Sequence, residues 1–186
     1  MPELRIVGIP GSLREGAYSS SLLRAAVELV PDGARLEVAD IRGFPVFNQD
    51  DERALPEPVR RLKEAVRGAD AVLFSLNEHN YGLSAAEKNV LDWGSRPYPD
   101  NVWNGKPAGI LSASTGRLGG ARAQYELRQS MVFLNMFPIN RPEVFVAAAA
   151  EKFDAAGRLV DETSRKFVRE HLIELVRHAR VLGARP

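Results

Sequence analysis

Gly11, Ser12, Arg14 and Gly16, followed by Ser19, Ser20 and Ser21, bring four hydroxyls and a guanidinium into one short turn of this 186-residue chain. An apolar run, Leu4–Ile9, precedes the turn and an amphipathic stretch, Leu22 to Val30, follows it. The group therefore belongs to a strand–loop–helix unit. A helix N-terminus carries unsatisfied N–H donors and the positive end of a dipole. Hydroxyls and an arginine added to it suit a phosphate. The spacing is not GxxxxGK[ST], since no Lys-Ser or Lys-Thr follows, and Gly8, Gly11 and Gly16 do not fit GxGxxG. Without a magnesium-binding hydroxyl after a lysine, one terminal phosphate suits the loop better than a triphosphate. The alternative is a turn capped by Ser19 or Ser20 that binds nothing.

Two later loops carry comparable chemistry. Ser75-Leu76-Asn77-Glu78-His79-Asn80-Tyr81-Gly82-Leu83-Ser84 is dense in hydrogen-bonding groups, with an imidazole and a phenol. It could hold the rim of a planar heterocycle through main-chain groups, or be an ordinary wet turn with Ser84 capping the next helix. Ser112-Ala113-Ser114-Thr115-Gly116-Arg117-Leu118-Gly119-Gly120 offers hydroxyls and glycines that allow close backbone approach. Its alternative is a helix-entry loop with a Ser/Thr cap.

The elements that must position these loops alternate along the chain. Strands are expected at Leu4–Ile9, Arg35–Ala39, Ala69–Leu76, Ala108–Ala113 and Glu143–Ala148. Helices are expected at Ser20–Val30, Glu57–Arg67, Ser84–Ser95, Gly119–Met136 and Glu162–Leu182. Such alternation implies an α/β fold, a doubly wound five-stranded parallel sheet between two helical layers, with residues 1–186 as one domain. Strand order 2-1-3-4-5 would bring the loops after strands one, three and four to one crevice. Phe44–Leu55, the longest irregular stretch, is expected to be a mobile flap or an interface loop.

Composition narrows the chemistry. The chain has no cysteine, which excludes disulfides, thiolate metal sites and a thiol nucleophile. A net charge of +1 gives no case for nucleic acid or an anionic membrane. No apolar run approaches membrane-spanning length, and no secretory signal pattern opens the chain, so a cytoplasmic protein is expected. His171 and His178 have no third ligand nearby in sequence and read as surface or packing residues. Glu87 and Asp92 read as helix-surface charges or caps, and Trp93 and Trp103 as core or interface anchors. Ser12 lacks a GxSxG context and a histidine–acid pair, which argues against a hydrolase.

Three ordered blocks resemble the NAD(P)H-dependent FMN reductases of flavodoxin-like fold, a family with chromate- and quinone-reducing members. Gly11-Ser12-Leu13-Arg14-Glu15-Gly16 is similar to the family's GSLR phosphate loop. Asn77-Glu78-His79-Asn80-Tyr81, with Lys88-Asn89-Val90-Leu91-Asp92-Trp93-Gly94-Ser95-Arg96, resembles its PEYN…KNxxDWxSR block. Gly119-Gly120-Ala121-Arg122-Ala123-Gln124 with Leu127-Arg128 resembles its GGxRxQxxLR segment, and the similarity continues through Asn140-Arg141-Pro142-Glu143.

The resemblance implies an FMN phosphate site on Ser12, Leu13, Arg14, Glu15, Gly16, Ala17, Tyr18, Ser19 and Ser20. It implies isoalloxazine contacts on Asn77, Glu78, His79, Asn80 and Tyr81, with Ser114 and Gly116 from the third loop. Ala17 stands where many members have serine, Ser19 where asparagine is usual, Asn77 for proline and His79 for tyrosine. The activity implied is hydride transfer from NAD(P)H to bound FMN, then electron transfer to a quinone, flavin, azo compound or metal oxyanion. The flavin carries the chemistry, so no metal and no protein nucleophile is required. The alternative activity is an FMN-binding carrier or sensor that does not turn over NAD(P)H. A flavin-free interaction protein is the third reading. A homodimer or homotetramer is expected, with Trp93, Arg122 and Tyr125 as interface candidates.

Overall fold

The computed structural model describes residues 2–183. Its sheet is parallel throughout and is ordered β2-β1-β3-β4-β5, with β6 also beside β4. The strands are β1 Leu4–Pro10, β2 Ala34–Val38, β3 Ala71–Leu76, β4 Pro107–Ala113, β5 Phe137–Pro138 and β6 Val144–Val146. Helices α1 Tyr18–Leu29 and α5 Glu162–Gly183 cover one face; α2 Glu57–Arg67, α3 Ala85–Gly94 and α4 Ala121–Leu134 cover the other.

Period-two alternation splits each central strand between the two cores. Ile6, Leu73 and Leu111 join Leu22 of α1 and Leu172 of α5. Val7, Phe74 and Ile110 join Val66 of α2, Val90 of α3 and Leu127 of α4. Strands β3 and β4 are buried at every position, as a parallel sheet covered on both faces requires. The register sets Pro10 opposite Ser75 and Leu76 opposite Ser112. The carboxyl ends of β1, β3 and β4 are therefore level, and their loops rise from one edge.

The fifth strand position differs from expectation. It is filled by two short pieces, β5 and β6, rather than by Glu143–Ala148 alone. Pro138 and Pro142 have no N–H to give a ladder, and the chain bulges away between them. The gap falls beside Ile110, whose N–H donates to His171 Nε2 (3.0 Å), while His171 Nδ1 donates to Pro142 O (2.7 Å). His171 is thus a packing histidine that replaces the missing strand, and burial pushes its pKa down to about 4.

Helix α1 starts at Tyr18, two residues earlier than expected, and α4 starts after Gly119 and Gly120, both at positive φ. Phe44–Leu55 is not a free flap. Asn89 Nδ2 and Trp93 Nε1 donate to Pro45 O (2.8 and 2.9 Å), the Phe47 N–H donates to Asn89 Oδ1 (2.7 Å), and the Phe47 ring meets Trp93 edge-on. Trp93 is fully buried within its own chain, which removes it from the interface candidates.

Candidate active site

The loop from β1 to α1 leaves the helix N-terminus open. Ala17 occupies the N-cap position and has no side chain with which to cap, so neither Ser19 nor Ser20 serves as one. The first return bond of the helix runs from Ser21 N–H to Ala17 O (2.9 Å). Among the described residues the N–H groups of Tyr18, Ser19 and Ser20 find no acceptor in the protein. Ser19 is completely buried, yet its Oγ has no partner; its carbonyl accepts from Ser75 Oγ (2.7 Å). Ser12 Oγ accepts the Arg14 N–H (3.1 Å), and the Arg14 guanidinium folds back onto Glu15 O and Gly16 O (both 3.3 Å). Free backbone donors, an orphaned hydroxyl and a cation therefore converge, which is the donor set a phosphate monoester needs.

The loop after β3 is bent by Asn80 and Tyr81, both at positive φ, between mutual His79–Gly82 backbone bonds (3.0 and 2.8 Å). That pairing uses the His79 N–H and leaves those of Glu78 and Asn80 free among the described residues. The Glu78 side chain, in contrast, is committed. Its carboxylate accepts the Arg122 N–H (3.0 Å) and Nε (2.6 Å) and pairs with Nη2. It thereby caps α4, whose own N-cap is a glycine. Arg122 in turn lies 3.6 Å above the Tyr81 ring, and Glu126 Oε2 accepts the Leu83 N–H (2.7 Å). The loop is pinned to α4, and Glu78 can face a ligand only through its main chain.

Ser84 caps α3 in a full capping box with Glu87, as the Ser-x-x-Glu spacing allows. Of the two readings for Glu87, the cap holds and the surface charge does not: it is buried with no cation beside it among the described residues, and burial pushes its pKa up to about 8. In the loop after β4, Ser114 Oγ accepts the Gly116 N–H (3.1 Å) and the Ser114 N–H donates to Val146 O (3.0 Å), so β6 steadies this loop.

These segments enclose one cavity of about 200 Å³. Ser12, Arg14, Ala17, Tyr18 and Ser19 line it from the first loop, Asn77, Glu78 and His79 from the second, and Ala113, Ser114 and Thr115 from the third. Leu13, Glu15, Gly16 and Ser20 border instead a neighbouring cleft of about 380 Å³ toward Val38–Arg42, which Ser12 and Arg14 share. Asn80, Tyr81 and Gly116 line neither. Among the described residues no three His, Asp or Glu side chains gather as metal ligands.

Three hydrogen-bonding loops, the first with a donor set suited to phosphate, at the carboxyl edge of a 2-1-3-4-5 parallel sheet define a flavodoxin-like fold. The comparisons make the class specific. The model of the NADPH-dependent FMN reductase family matches residues 4–151. An NAD(P)H-dependent FMN reductase of Pseudomonas aeruginosa is 47% identical over 171 residues, covering 91% of this chain and 92% of the relative. An NADPH:quinone oxidoreductase of Arabidopsis thaliana is 41% identical over 181 residues, covering 94% and 91%. Among solved structures, FerB of Paracoccus denitrificans, a flavoenzyme NAD(P)H:(acceptor) oxidoreductase, superposes with a TM-score of 0.86 at 29% identity, covering 96% of this chain and 98% of that one.

The chain belongs to the NADPH-dependent FMN reductase family. It is a flavin-dependent oxidoreductase of flavodoxin-like fold that uses FMN and a nicotinamide nucleotide.

Proposed function

We propose that this protein is an NAD(P)H:quinone oxidoreductase, one domain over residues 1–186, with FMN held across the three-loop cavity. The observation that carries the reading is the uncapped α1 N-terminus at the wall of that cavity, with the orphaned Ser19 hydroxyl buried beside it. Ser12, Ser19, the N–H groups of Tyr18 to Ser20 and the Arg14 cation bind the phosphate, with Leu13, Glu15 and Gly16 shaping the loop. Asn77 and the free N–H group of Glu78 hold the ring edge on one side; Ser114 serves the other. His79 sets an imidazole at the same rim.

When bound, FMN supplies the centre that accepts hydride and releases electrons, which leaves the protein the tasks of binding, orientation and water exclusion. The Glu78–Arg122–Tyr81 lock keeps the second loop in one conformation for this purpose. A quinone is favoured as acceptor because the Arabidopsis thaliana relative carries that activity in its name. Free flavins, azo compounds and metal oxyanions such as chromate compete for second place. We place the protein in the cytoplasm, consistent with a cysteine-free chain; no helix among the described residues is long and apolar enough to cross a membrane. It assembles as a homodimer or homotetramer through the exposed face of α4, where Tyr125, Val132 and Phe133 stand in solvent.

The test is an absorbance spectrum after FMN loading and desalting, then anaerobic addition of NADPH or NADH, then a quinone. Retained flavin that bleaches and recovers with quinone is the expected result. Retained flavin that never bleaches means a carrier or sensor, and no retained flavin removes the cofactor site.

A further inference from the structure

Glu87 sits at the start of α3 beneath the β3 loop, only 3% exposed. One carboxyl oxygen completes the capping box: Oε2 accepts the Ser84 N–H (2.8 Å), and Ser84 Oγ accepts the Glu87 N–H (3.1 Å). The Ser84 hydroxyl donates onward to Gly11 O (2.9 Å), which ties this box to the phosphate loop. The other oxygen, Oε1, is buried without a hydrogen bond of its own, and so is Oδ1 of Asn77, although the Asn77 main-chain N–H lies close enough to the carboxyl to favour its charged form in part. Both crowd Gly11 together with Ser75 O, since a methyl group placed on Gly11 would approach all three more closely than 3.0 Å.

Two acceptor oxygens buried against the same glycine are costly unless a donor reaches them. An acid proton on Glu87 satisfies the pair, and so does a turn of the Asn77 amide that exchanges Oδ1 for Nδ2. The surrounding charges favour the first. Among the described residues no cation pairs with Glu87. Lys88 on the same helix is engaged by Asp92, and Arg122 of α4 by Glu78. The remaining neighbour, Glu126 of α4, is negative and disfavours a second anion. The β1–α1 loop presents Gly11 and its carbonyl, which bring no charge. Burial outweighs the Ser84 and Asn77 hydrogen bonds, which favour the anion, and keeps the acid form through neutral pH.

We propose that Glu87 is a positioning residue whose neutral carboxyl donates to Asn77 Oδ1, holding the Asn77 amide with its NH₂ toward the cavity, and whose loss of that proton turns the amide so that its oxygen faces the cavity instead. One proton released to solvent thus converts a ligand-facing donor into an acceptor. The consequence for the cofactor rests on FMN occupying the cavity as proposed above.

The test begins with the FMN-free protein. Carbon-labelled glutamate and nitrogen-labelled asparagine report the Glu87 carboxyl, identified by its loss in Glu87→Gln, and the Asn77 amide, from about pH 6.5 to about pH 9.5. Both are expected to change together near pH 8. FMN affinity, read by flavin fluorescence, should weaken about fivefold through the same midpoint, about the worth of one hydrogen bond. Glu87→Gln, whose amide N–H replaces the acid proton, should keep the low-pH affinity throughout. A carboxyl that titrates in the ordinary range, an Asn77 amide indifferent to it, or an unaltered affinity transition in Glu87→Gln overturns the proposal. FMN that binds at no pH overturns the cofactor reading, while the two resonances still decide the role of Glu87.

Discussion

Ser19→Ala should change the protein in two opposite directions. The Ser19 hydroxyl is fully buried and unpartnered in the FMN-free protein, so it carries an unmet desolvation cost of about 1–3 kcal/mol. Removing one small group leaves almost no cavity, so the FMN-free variant should gain about 1 kcal/mol or more of stability. Ser19 borders the cavity beside three free N–H groups, and a phosphate reaching its buried hydroxyl would turn it into a charge-assisted donor worth about 1.5–3 kcal/mol. Its loss should raise the FMN dissociation constant roughly tenfold to 150-fold. Urea unfolding of the FMN-free proteins measures the first effect, and flavin fluorescence titration the second. Ser20→Ala, one residue on, controls for the higher helix propensity of alanine. A destabilised Ser19→Ala variant would show that the hydroxyl already has a partner. Unaltered FMN affinity would move the phosphate elsewhere.

Arg14→Ala should weaken FMN retention by about 1.5 kcal/mol, the low end for a charged hydrogen bond because the guanidinium is exposed, and should flatten the salt dependence measured by equilibrium dialysis. Trp93→Ala should cost about 3–5 kcal/mol in urea unfolding, because the ring is fully buried. Tyr125→Ala, at an exposed position, should leave stability near wild type but lower the mass found by sedimentation; a wild-type monomer would remove the α4 interface altogether. Acid should unfold the protein partly through His171. The buried ring resists protonation until about pH 4, whereas the unfolded ring takes a proton below its ordinary 6.5, so stability is full above pH 6.5 and falls by about 3 kcal/mol as pH drops through that window. His171→Gln should lose that slope; a wild-type curve flat from pH 7 to pH 4 contradicts the assignment.

The central sheet was readable because its signals are local. Ala71–Phe74 is an unbroken apolar run, and parallel strands covered on both faces show that pattern. Helix α2 was bounded correctly at Glu57 and Arg67, its start marked by Pro56, whose fixed φ suits the first turn of a helix. The split fifth strand was not readable. Two- and three-residue pieces have no periodicity, and the group that completes the ladder, His171, lies 61 residues from Ile110. The three site loops followed from strand order, but which of their atoms are already spent did not. Glu78 is bound to a helix start 44 residues away, and nothing around it in sequence signals that. For Glu87 the capping signature was legible and the burial was not, since burial depends on Gly11 and Asn77 closing over it.

The departures from the family pattern now have physical content. A serine at position 17 would stand at the N-cap, where its hydroxyl would compete with a ligand for the first N–H groups of α1. Ala17 cannot compete, so those donors stay open and the orphaned Ser19 hydroxyl joins them. Asn77 brings a polar amide into a space where proline would need no partner, and the amide oxygen ends up buried without one among the described residues. His79 sets an imidazole at the rim while its backbone closes the turn with Gly82. Each exchange moves a hydrogen bond between the protein and the ligand cavity and leaves the sheet unchanged. Differences from relatives should therefore appear in FMN affinity and its pH dependence before they appear in folding.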